Sequence, residues 1–94
     1  MSYSQIYKQI LQYFENQKYI ELIDLSQSIP NKSKYYHLIQ PLMARSFFAL
    51  GQFDESILIY QKLEKNDVFR AEARTQIGFV YRKKKKFSQA LNVF

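Results

Sequence analysis

His37 is the single histidine of this 94-residue chain, and cysteine is absent. Those two facts exclude a two-imidazole metal site, a thiolate centre, a cysteine nucleophile and a disulfide framework. For His37 to act as a general base, folding would have to bring it a carboxylate and a nucleophile. Its neighbours Tyr35 and Tyr36 read as packing residues, and the eight Asp and Glu side chains are scattered. Asp54 and Glu55 stand together, a placement explained by the positive end of a helix dipole. No catalytic residue, metal site or cofactor is expected, and the chain reads as a non-enzyme.

Charge is the other source of chemistry. Residues 1–68 carry seven Lys or Arg and seven Asp or Glu, whereas residues 69–94 carry seven against one, so the whole net charge of +6 lies at one end. Its centre is the run Arg82-Lys83-Lys84-Lys85-Lys86. Five adjacent cations are able to contact phosphates, with a steep dependence on salt. They also suit a solvated turn in which lysines stabilise the end of a preceding helix. Abundant Lys, Asn, Ile, Tyr and Phe, all with A/T-rich codons, supply a third and duller source of the charge. The aromatics flanking the run, Tyr81 and Phe87, are expected in the core.

The elements that would position these residues follow from composition. Hydrophobic residues make up 47%, with only 2 Gly and 2 Pro to interrupt them. Long helices and short connections follow, and the expected class is all-α. At this length the core must be thin, because a small domain buries roughly 60% of the surface its unfolded chain exposes. The start, Met1-Ser2-Tyr3-Ser4, lacks a basic stretch followed by an apolar run, and no apolar run is long enough to span a bilayer. The expectation is an intracellular, cytoplasmic protein with no membrane span.

The chain repeats itself. Tyr13, Phe47 and Tyr81 stand 34 residues apart, as do Tyr19, Phe53 and Phe87, and Ile23, Ile57 and Leu91. Ala44 pairs in the same register with Gly78, Ser56 with Ala90, and Tyr60 with Phe94. Within the units, Ile39, Met43, Phe47 and Leu50 fall at helical spacing, as do Ile57, Tyr60 and Leu63, so the helices are amphipathic. Small residues at Ala44, Gly78, Ser56 and Ala90 imply that a neighbouring backbone lies against each of them.

In Ile77-Gly78-x-x-Tyr81 and Ala90-x-x-x-Phe94 the third unit resembles the tetratricopeptide repeat, a unit of about 34 residues forming helix, turn and helix. Met43-Ala44-x-x-Phe47, Gly51 and Ser56-x-x-x-Tyr60 carry the same likeness in the second unit. The first keeps Tyr13, Tyr19 and Ile23 but has Ile10 at the small position and Ser26 at the aromatic one. Ile6, Gln40 and Arg74 replace the family's early Trp, and Lys34 and Val68 its late Pro. The resemblance implies one domain over residues 1–94, with units at about 3–36, 37–70 and 71–94. It also implies a right-handed superhelix of antiparallel hairpins, about six helices with the last truncated.

Local chemistry sets the expected boundaries. Asp54 and Ser88 are placed to cap helices after each turn, Asn66 or Asp67 to cap the helix that runs to Arg82, and Pro30-Asn31-Lys32-Ser33 is a loop. Pro41 leaves two alternatives: a kinked helix from Lys34, or a helix starting near Gln40 with the proline in its first turn.

The resemblance further implies a concave groove lined by the first helix of each unit. The matching faces are Tyr7, Leu11 and Phe14; Leu38, Arg45 and Phe48; and Thr75, Phe79 and Arg82. Aromatics and arginines there would hold a protein or peptide partner; the apolar ones equally suit contact with an adjoining unit. Capture of an acidic chaperone tail is disfavoured, because Tyr7, Leu11, Leu42, Glu72 and Gln76 occupy the positions that would need cations and amides, only Gln76 supplies one, and Glu72 would repel a carboxylate. Two further readings remain open. One is a nucleic-acid-associated module using Arg82 to Lys86. The other is a homo-oligomer or larger complex formed where Ala90, Leu91 and Phe94 leave the C-terminal face uncovered, unless the chain is a fragment.

Overall fold

Ser2 opens the first helix. Its hydroxyl accepts from the Gln5 amide at 3.2 Å while the Gln5 side chain accepts from the Ser2 amide at 2.9 Å, so two backbone donors are satisfied reciprocally. The helix so started is α1 (Tyr3–Glu15), followed by α2 (Tyr19–Ser26), α3 (Lys34–Ala49), α4 (Phe53–Leu63) and α5 (Arg70–Val93). This computed structural model describes the backbone of residues 1–93 and the side chains of residues 1–86. Helix is the only regular structure among them. Each helix packs on the next, and α1 also packs on α3, giving a body of 53 × 27 × 20 Å.

The first two hairpin turns are built alike. After α1, the Gln17 amide donates to the Phe14 carbonyl and the Lys18 amide to that of Tyr13; after α3, Gly51 donates to Phe48 and Gln52 to Phe47. Both are the Schellman closure of a helix end, which requires a left-handed residue after the last turn. Gln17 (φ 58°) and Gly51 (φ 76°) supply it. An edge-on aromatic pair then clasps each hairpin, Phe14 with Tyr19 at 6.2 Å and Phe48 with Phe53 at 5.3 Å. All these residues repeat at 34-residue intervals.

The third turn does not form. The run from Arg82 to Lys86 lies within α5, which is one continuous helix of 24 residues, so five helices are present among the described residues where about six were expected. The 34-residue register explains the difference. Lys85 stands where Gln17 and Gly51 take positive φ, and Arg82 stands where Phe14 and Phe48 begin the aromatic clasp. Lysine and glutamine are equally good helix formers, so the missing ring is what sets this position apart from the first turn. Without the clasp the helix runs on, and Ser88 lies inside it rather than capping a sixth. The side chains of Phe87, Ala90, Leu91 and Phe94 lie outside the described residues.

Two apolar clusters hold the stack. Ile6, Ile10, Leu22, Ile23, Ile29, Ile39 and Leu42 form the first, with Tyr13 and Phe47 packed against it. Ala44, Tyr60, Leu63 and Ala73 form the second, flanked by Phe48, Ile59, Phe69 and Ile77. Each fully buried aliphatic side chain contributes about 1.5–3 kcal/mol. Ser56 shows the close approach expected of small residues: its hydroxyl donates to the Ala44 carbonyl at 2.9 Å, joining α4 to α3. Gly78 does not. A Cβ built there would meet only the tip of the Arg82 guanidinium, at 3.3 Å. Ser26, in the place of an aromatic, is buried and donates to the Leu22 carbonyl at 2.7 Å.

The remaining boundaries can be assigned. Helix α3 begins at Lys34, capped by Ser33, and continues through the buried Pro41, which decides against a start near Gln40. Gln52 rather than Asp54 is the N-cap of α4, and Asp54 falls in its first turn. The Asn66 side chain accepts from the Val68 amide, and Asp67 pairs with Arg70 at the start of α5.

Candidate interaction surface

One polar assembly ties the second hairpin to α5. Arg45 on α3 donates to both carboxylate oxygens of Glu72 on α5, at 2.8 and 2.7 Å, and the Tyr60 hydroxyl from α4 donates to Glu72 at 2.9 Å. Glu72 is the only acid among residues 69–94, and its charge is used here. Arg45, expected in a groove, therefore acts as a strut between helices. The bidentate guanidinium, and then the Tyr60 hydroxyl, lower the Glu72 pKa from its ordinary 4.5. Burial, reinforced by the neighbouring carboxylate, raises that of Tyr60 well above its ordinary 10.

Both shifts carry a pH dependence. With its folded pKa depressed, Glu72 contributes stability that is complete above about pH 4.5 and is lost as pH falls through the lower folded value. With its folded pKa raised, Tyr60 contributes stability that is complete below pH 10 and declines as pH rises beyond it. Thermal melts across the pH range should show both losses. Glu72→Gln should remove the Glu72 part of the acid-side loss, and an unchanged acid limb would contradict the assignment.

The expected groove residues fall into two groups. On the first hairpin, Tyr7 packs against Tyr35 at 5.3 Å, Phe14 is half-buried in its clasp, and Leu11 is exposed. On the second side, Phe48 meets Phe79 at 5.3 Å, which brings α3 and α5 residues together. Leu38 is 50% exposed and Phe79 36%. Thr75 is exposed, its hydroxyl donating to the Ala71 carbonyl, and Arg82 lies over Gly78.

The basic run divides by partner. Lys83 lies 5.3 Å from the ring centres of both Phe53 and Phe79, and Lys84 pairs with Asp54. Arg82, Lys85 and Lys86 are exposed and have no carboxylate partner among the described residues. Tyr81 is 52% exposed, against the expectation that it joins the core.

His37 borders a cleft of about 290 Å³ between α3, α4 and the connection from α4 to α5, with Tyr36, Ile59, Leu63 and Phe69 as its apolar part. Neither a carboxylate nor a hydroxyl nucleophile other than the Tyr36 phenol lines it, so no acid–base pair forms around the imidazole. Among the described residues no three His, Asp or Glu side chains converge as metal ligands, and no helix is long and apolar enough to cross a membrane.

The sequence matches no family model, no curated protein and no solved structure. Function must therefore be argued from the geometry itself. Three features of that geometry escape a reading of the chain: the Arg45–Glu72–Tyr60 assembly, the Lys84–Asp54 pair and the position of Lys83 over two rings. Apart from Phe79, one turn before Lys83, their partners lie 12 to 30 residues apart and off the repeat register. One signal was there, since Glu72 is the lone acid of the basic stretch 69–94.

Proposed function

We propose that the chain is a non-catalytic interaction module of the tetratricopeptide kind, a right-handed stack of hairpins that holds a protein or peptide partner along its first helices. The likeness rests on the two hairpins that repeat turn, clasp and core at a 34-residue step. The observation that carries the function is the exposure of large apolar side chains, Leu11, Leu38 and Phe79, on α1, α3 and α5. Apolar groups left at the surface of successive helices are the material from which a peptide-binding face is made. Arg45 serves that face indirectly, by fixing α3 against α5. Phe48 and Phe79 give it an aromatic floor.

Because Leu11 and Leu38 are exposed, charges placed there should leave folding intact. Leu11→Glu combined with Leu38→Glu is expected to retain the wild-type melting temperature and to lose the protein that wild type retains in affinity capture. Equal retention by the double variant would remove the face from consideration.

A further inference from the structure

The continuity of α5 creates a surface that a turn at residues 82–86 would have broken up. Gly78, Tyr81, Arg82 and Lys85 stand at i, i+3, i+4 and i+7, which places them on one helical face, with Arg74 one turn earlier. The Arg82 guanidinium folds back over Gly78, 3.3 Å from where a Cβ would stand, and Tyr81 beside it is 52% exposed. Arg74 is exposed and pairs with Glu64 at 3.3 Å. Lys85 extends the face and Lys86 flanks it, both exposed.

We propose that this face of α5 binds single-stranded nucleic acid, with a base stacked on Tyr81 and phosphates held by Arg82, Lys85 and Lys86. A sequence-tolerant single-strand site combines a positively charged track with aromatic platforms, since every base offers a π-face. Both parts are present within two turns of one helix. A lipid surface fits less well, because the face has one aromatic and no apolar stripe to insert. An acidic polypeptide would use the cations but leave Tyr81 without a role. The site is separate from the apolar face of Leu11 and Leu38.

Fluorescence anisotropy with labelled oligouridine at low salt tests the proposal, with an oligoglutamate peptide of equal charge as comparison. Wild type should bind the oligonucleotide with a log–log salt slope of about −2, near −0.7 for each of three phosphates. Tyr81→Ala should weaken binding roughly tenfold at an unchanged slope, whereas Tyr81→Phe should keep it. Lys85→Ala should make the slope shallower by about 0.7. No binding at low salt overturns the proposal. So does binding that Tyr81→Ala leaves unchanged, or oligoglutamate binding as tight and as sensitive to Tyr81.

Discussion

Tyr60→Ala is expected to destabilise the fold by about 3–5 kcal/mol, the range for emptying a buried aromatic site. Tyr60 is 1% exposed at the centre of the second cluster, between α3 and α5. A chain of this length has a total stability on the order of 5–14 kcal/mol. The variant should therefore lose a large share of that stability, seen as a lower midpoint in urea melts followed by circular dichroism. Tyr60→Phe separates packing from polarity: it keeps the ring, loses the bond to Glu72, and should cost about 1–1.5 kcal/mol. Equal costs for the two variants would mean that the ring contributes nothing, contrary to its burial.

The second large effect concerns one repeat position with opposite signs. Ile10, Ala44 and Gly78 are 34 residues apart. Ile10 is fully buried in the first cluster, and Ile10→Ala should cost about 2–5 kcal/mol through lost transfer energy and the cavity left behind. Gly78→Ala should instead stabilise by about 0.5–1 kcal/mol, because alanine suits a helix interior better and its methyl group meets only a flexible side-chain end. Chemical denaturation of both variants checks the contrast. If Gly78→Ala destabilised by more than about 1 kcal/mol, the Arg82 side chain would not be free to give way to the methyl group.

Periodicity and local residue types were enough to show helices, the loop at residues 30–33 and a backbone lying against Ser56, though not that this backbone is Ala44's. These depend on residue type at fixed spacing, which a sequence displays directly. The course of α5 was less legible, although its cause is local: the repeat register continues through Phe87, but Arg82 lacks the aromatic ring that clasps the first two turns. A core pattern reports what would pack if the chain turned, and turning depends on other residues. Pro41 was similarly ambiguous, since its burial in the fold decides whether a helix tolerates a lost hydrogen bond. Of the candidate face, Leu11, Leu38, Phe48 and Phe79 were visible as a pattern. The role of Arg45 was not, because its partner is set by the packing of α3 against α5 rather than by the repeat.

The unbroken α5 also sets the electrical shape of the molecule. A near-neutral body joined to a rod whose far half carries the excess positive charge behaves as a macroscopic dipole. In the field of a polyanion such a particle rotates before it touches, so first encounters are made rod-first. That alignment fades beyond about 8 Å at physiological ionic strength.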